Sequence, residues 1–164
     1  MEISDETLKN IYTTNLAGLI SYIEAVGEKI GKEEAVRIHA KLHAKMADIL
    51  EEHLPQLGIK GNDARAGMDL IYAIMEAHYP GFTSFMERER VEDTPQRVVS
   101  RHRGWCAAYE ACRMLKVSPR SFCLIPHEEG LTPLVQVLNP KLCVRLGKIR
   151  PEADYCELIV ELTE

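Results

Sequence analysis

The chain has 164 residues, 46% of them apolar and 27% charged, with a net charge of −5. That length suits one compact domain, which can bury roughly two-thirds of its unfolded surface without a disulfide or a metal. The acidic balance argues against nucleic acid as a main partner, because phosphate binding needs a basic field. No apolar run approaches the roughly 18 residues of a membrane span. The opening MEISDETLKN is acidic and polar, where a secretory signal would be basic and then apolar. These features predict a cytoplasmic protein with reduced thiols, so its five cysteines are not read as a disulfide framework.

Ser4 before Asp5 and Glu6 marks a helix start, with acids at the positive end of the helix. Leu8, Ile11, Tyr12, Leu19, Ile23, Val26 and Ile30 then recur at helical spacing up to about Gly31. A second helix is predicted from Lys32 to Leu54, stopping before Pro55. Asn62 or Asp63 caps a third, ARAGMDLIYAIMEAHY, which ends at Pro80-Gly81. Beyond Gly81 the pattern changes. FTSFMERER alternates as a half-buried strand does, EDTP is a turn signal, and QRVVSRH reads as the second strand of a hairpin. A helix from about Gly104 to Lys116 follows and is broken by Ser118-Pro119. After a short irregular or helical segment ending at Asn139-Pro140, KLCVRLGKI and YCELIVEL form two closing strands joined through RPEAD. Helices first and antiparallel strands later predict an α+β domain spanning 1–164, mainly helical over 1–80 and built on a small antiparallel sheet with one or two helices over 81–164. The helix carrying the lone tryptophan is the candidate to cover that sheet.

Two features stand out against this frame. On a helical wheel of residues 33–54, His39, His43 and His53 fall on the apolar side. His39 and His43, four apart, share one face and could hold one metal with a third ligand from a cysteine, His78, His102 or His127. The alternatives are that each imidazole borders the core and is hydrogen-bonded there, or that it lines a ligand pocket. The second feature is HRGWCAAYEACRML. It places Cys106 at the start of a helix, where unpaired N–H groups favour a thiolate, just after Arg101, His102 and Arg103. Such surroundings suit a nucleophile, although a cysteine beside Trp105 can also be simple packing. In the last strand Cys156 shares parity with Leu158, Val160 and Leu162, the core face. In the strand before it, Cys143 shares parity with Arg145, whose forked cation fits a carboxylate.

The segments VVSRHRGWCAAYEACRMLKV and LNPKLCVRLGKIRPEADYCELIVEL resemble the L-2-amino-thiazoline-4-carboxylic acid hydrolase-like family. The likeness covers roughly residues 81–162, through Cys106, Asn139-Pro140, Arg145 and Cys156. Its architecture resembles 4-vinyl-reductase-like small-molecule-binding domains. The resemblance implies a hydrolase that opens a cyclic amidine by water. Cys106 would be the nucleophile or pocket thiol and His102 or His127 the proton carrier. Arg101 or Arg145 would anchor a substrate carboxylate, with Trp105 and Cys156 lining the pocket. The rival reading is a non-enzymatic domain that binds or senses a small, carboxylated molecule, or a metal at His39 and His43. Neither reading involves nucleic acid or a membrane.

Overall fold

The computed structural model describes residues 3–164. Helix α1 (Asp5–Ile30) starts where Ser4 accepts a hydrogen bond from the Thr7 N–H, and it ends at Gly31. The single helix predicted over 32–54 is two, α2 (Lys32–Ala44) and α3 (Met46–Leu57). The interruption falls at Lys45, which keeps helical φ and ψ of −63° and −18°; no glycine or proline marks it, so the sequence gives no sign of it. Pro55 sits inside α3, in the last turn, where its missing N–H removes only one ladder bond. Helix α4 (Ala64–His78) is capped by Asp63, whose side chain accepts from the Ala66 N–H. A 3₁₀ turn at Phe82–Ser84 delays the first strand to Met86. The Glu76 carboxylate fixes that turn by accepting from the N–H groups of Gly81 and Thr83 and from the Thr83 hydroxyl.

Strands β1 (Met86–Asp93) and β2 (Arg97–Gly104) form the expected hairpin. Helices α5 (Ala107–Leu115) and α6 (Pro119–Ile125) follow, then a π turn (Pro126–Gly130) and α7 (Leu131–Gln136). Strands β3 (Leu142–Leu146) and β4 (Cys156–Leu162) close the fold. The sheet order is β1-β2-β4-β3, and every neighbouring pair is antiparallel. The architecture is α+β, as the element order predicts.

Period-two alternation gives the sheet two different faces. The inner face joins Val98, Leu142, Val144, Leu158 and Val160 to Ala64, Met68 and Ile71 of α4 and Val135 of α7 in one core. The outer face is a ladder of ion pairs: Arg101 with Glu157, Arg103 with Glu89, and Arg97 and Arg145 with Glu161. Helices α4 and α7 therefore cover the sheet. Helix α5, expected in that place, turns Ala111 and Cys112 toward α1, α2 and α6 in a second core. No described helix is long and apolar enough to cross a membrane.

Gly67 sets the distance between α4 and the sheet. A Cβ there would stand 2.9 Å from Val160 Cγ1 and 3.3 Å from Leu142 Cδ1, and both partners are fully buried with little room to retreat. Gly67→Val should lower unfolding stability by about 2–3 kcal/mol in urea titration, the range for an overpacked core. Val160→Ala in the same chain should recover part of that loss, giving a clearly non-additive double mutant.

Candidate functional site

The end of β2, the start of α5 and the loop between β3 and β4 meet at one place. Gly104, with φ of +76°, turns the chain out of β2 and brings Cys106 to the N-cap of α5. A side chain at Gly104 would be strained in that region, with its Cβ 3.4 Å from the Phe85 carbonyl oxygen. Opposite lies Arg150 in the β3–β4 loop. Its Nη1 donates to the Gly104 carbonyl at 2.7 Å, and its guanidinium stacks 4.3 Å over the Tyr109 ring. Its backbone N–H points to Cys156 Sγ at 3.4 Å. Its Nε is buried without a hydrogen-bond partner among the described residues. Cys156 is the register partner of His102 across β2 and β4. His127, from the π turn, lies near enough for its charge to act on His102; its Nδ1 donates to the Cys123 carbonyl at 2.7 Å.

His102 and Ser100 interrupt the apolar inner face of β2, with 8% and 0% of their surface exposed. Buried polar groups need partners, and Tyr72 of α4 supplies both. Its hydroxyl lies 2.6 Å from Ser100 Oγ and 2.8 Å from His102 Nε2. Burial holds the phenol protonated, pushing its pKa up against the pull of the Ser100 bond and of Arg88 and Arg90. Burial likewise lowers His102 to about 4, helped by the positive fields of His127, Arg88 and Arg150. A neutral phenol and a neutral imidazole let the hydroxyl chain run in either direction.

Desolvation also decides the thiols. It raises Cys106 above the ordinary value, outweighing the N–H groups of Tyr109 and Ala108 and the Arg150 charge, all of which favour the thiolate. Cys106 makes no side-chain cap bond to those N–H groups. The residue is only half-buried, but its thiol lies deep enough for burial to dominate. The expected activation by the helix start is thus reversed. Cys112 is raised to about 11 and Cys123 well above its ordinary value, again by burial.

Of the residues singled out from the sequence, Cys106, Cys156, His102 and His127 converge here. Arg101 and Arg145 do not. They lie on the outer face, bound to Glu157 at 3.0 Å and Glu161 at 2.8 Å, and Arg150 takes the place expected for them. Trp105 packs in an aromatic cluster, its ring centroid 5.5 Å from Phe85 and 5.7 Å from Phe82. His39 and His43 stack edge to face at 4.7 Å, and burial lowers the pKa of both, each under a neighbouring imidazole as well. Their expected third ligand is not brought to them. Among the described residues no group of three or more His, Cys, Asp or Glu side chains is placed to hold a metal ion. Sequence reasoning missed Tyr72, Ser100, Cys123 and Arg150. Ser100 had a signal, since it shares parity with Val98 and His102 on a strand whose other members on that face are core.

Neither a protein-family model nor a curated protein matches the chain. Among solved structures, a crystal structure of a mutant H-NOX protein from K. algicida in its Fe(II) unliganded state is similar. The TM-score is 0.50 at 12% identity, over 87% of this chain and 70% of that one. The likeness is one of fold. It supports the α+β architecture, and the residues of the site rest on the geometry above.

The His102 shift fixes a pH dependence. Its folded value of about 4 lies below the ordinary 6.5, so the unfolded chain binds the proton first. The stability that follows is complete above pH 6.5 and is lost as pH falls toward 4, about 3 kcal/mol in all. His39, His43 and His127 shift in the same direction and add to the slope. His102→Gln should flatten the curve between pH 6.5 and 4 by about 3 kcal/mol in urea unfolding series.

Proposed function

We propose that the protein is a non-enzymatic small-molecule-binding domain, and that its ligand carries a carboxylate held by Arg150. One observation carries this reading: a guanidinium Nε buried without a partner, fixed by Gly104 and Tyr109 beside two thiols and an imidazole. A buried donor in that position calls for an acceptor. The ionisation states favour binding over catalysis. His102 is neutral and Cys106 is a thiol, so the cluster offers hydrogen bonds and polarisable sulfur without a preformed nucleophile. The H-NOX neighbour was solved in an Fe(II) state. The donor set here does not fit a bare iron ion, for want of three grouped ligands among the described residues.

The hydrolase reading is the second, favoured by the convergence of Cys106, His102, His127 and Cys156. In it a neutral imidazole would take the Cys106 proton as Sγ adds to the amidine-type ring carbon. The ring C–S bond would then break, the imidazolium returning the proton to the departing ring sulfur, and water would displace Cys106 Sγ from the resulting adduct and restore the thiol, for net addition of one water across the ring C–S bond.

2-Amino-thiazoline-4-carboxylate separates the two readings. The expected result is calorimetric binding, weakened about tenfold to a hundredfold in Arg150→Gln, with the compound recovered unchanged in mass. Affinity unchanged in Arg150→Gln would remove the anchor. A gain of one water in mass, abolished in Cys106→Ala, would establish the hydrolase instead. Alkylation by iodoacetamide gives a further check. Cys106 should react slowly at pH 7 and accelerate only above the ordinary thiol range.

A further inference from the structure

A hollow lies over the β1 end of the inner sheet face. Helix α4 sets its core residues on β2, β4 and β3 and meets the inner side of β1 through Tyr72 and Asp69. Between the two is a cleft of about 500 Å³ lined by Asp69, Tyr72, Met86, Arg88, Arg90 and Ser100. Its cations differ. Arg90 is committed to Asp69 and lies 3.5 Å from Asp93. Arg88, in register with His102, stacks 4.7 Å over the Tyr72 ring and forms no ion pair among the described residues. Glu76 feels the Arg88 charge, but its oxygens already serve Gly81 and Thr83. At the floor, the Tyr72 hydroxyl is backed by Ser100.

We propose that this cleft is a binding site for a small organic monocarboxylate. The guanidinium of Arg88 takes the carboxylate, and the Tyr72 hydroxyl donates a second hydrogen bond to it. Asp69 and Asp93 take up the Arg90 charge, so the cleft offers the single positive charge of Arg88, which matches a monoanion; Asp69 opposes the second charge of a phosphate. Met86 and the Tyr72 ring give the organic part an apolar wall. Because the same Tyr72 hydroxyl also meets His102 Nε2, occupancy of the cleft turns that hydroxyl toward the ligand and changes the hydrogen bonding of an imidazole in the Arg150 cluster. The site stands on its own observations and does not depend on what Arg150 holds.

The test is a titration of the full chain with benzoate, acetate and inorganic phosphate, followed by amide and imidazole NMR. Saturable benzoate binding is expected, with shifts centred on the amides of β1 and on the His102 ring nitrogens. Arg88→Gln, at an exposed position that tolerates substitution, should weaken it about tenfold or more. Arg120→Gln, on a remote exposed ion pair, should leave it unchanged. Three results would overturn the proposal: no saturable benzoate binding, equal affinity in Arg88→Gln, or shifts centred on Arg150 instead of β1. Phosphate binding tighter than benzoate would overturn the assignment to a monoanion.

Discussion

The close approach of α4 to the sheet at Gly67 is the constraint from which the rest follows. With no side chain there, the helix settles onto Val160 and Leu142, and Met68 and Ile71 seal the core on either side. Tyr72, little more than one turn further on, is thereby placed over the polar part of β2. Its hydroxyl reaches Ser100 and His102 only because the helix lies so near. The same placement directs the apolar face of α4 across β2, β4 and β3, and leaves it to meet β1 through the arginines Arg88 and Arg90.

Burial of titratable groups is the second theme, and it acts in one direction. Desolvation favours whichever form is uncharged, so imidazoles lose their protons and thiols keep theirs. The His102, His127 and Cys106 shifts all share this cause. The guanidinium of Arg150 is a fixed charge at the cluster, since arginine does not lose its proton in proteins. A site so composed offers fixed charge and hydrogen bonds, with sulfur as the soft lining.

Much of this was legible in the sequence, for identifiable reasons. The hairpin, the final two strands and the order of helices follow from periodicity and turn residues. The convergence of Cys106, His102 and Cys156 follows from a helix start placed after one strand and a core-face cysteine in another. The misplacement of Arg101 was avoidable, since adjacent strand residues point to opposite faces, and His102 on the inner side puts Arg101 on the outer. Arg145 likewise alternates with Val144 and Leu146, and the outer ladder of glutamates claims it. Arg150 was not legible, because it sits in a loop where no period assigns a direction. The break at Lys45 left no mark in composition, and the role of Tyr72 depends on a helix-to-sheet distance that no local pattern encodes.

Strand β1 has one further consequence. It is an edge strand, and six of its eight residues, in MERERVED, carry charge. Exposed edges invite another chain to extend the sheet, and ionic side chains deter it. Glutamates on the outer side of β1 and arginines on its inner side keep its free backbone groups hydrated and discourage fibril-like stacking. Those same charges include Arg88, the cation over the Tyr72 ring, so protection against self-association and the charge of the cleft draw on a single run of eight residues.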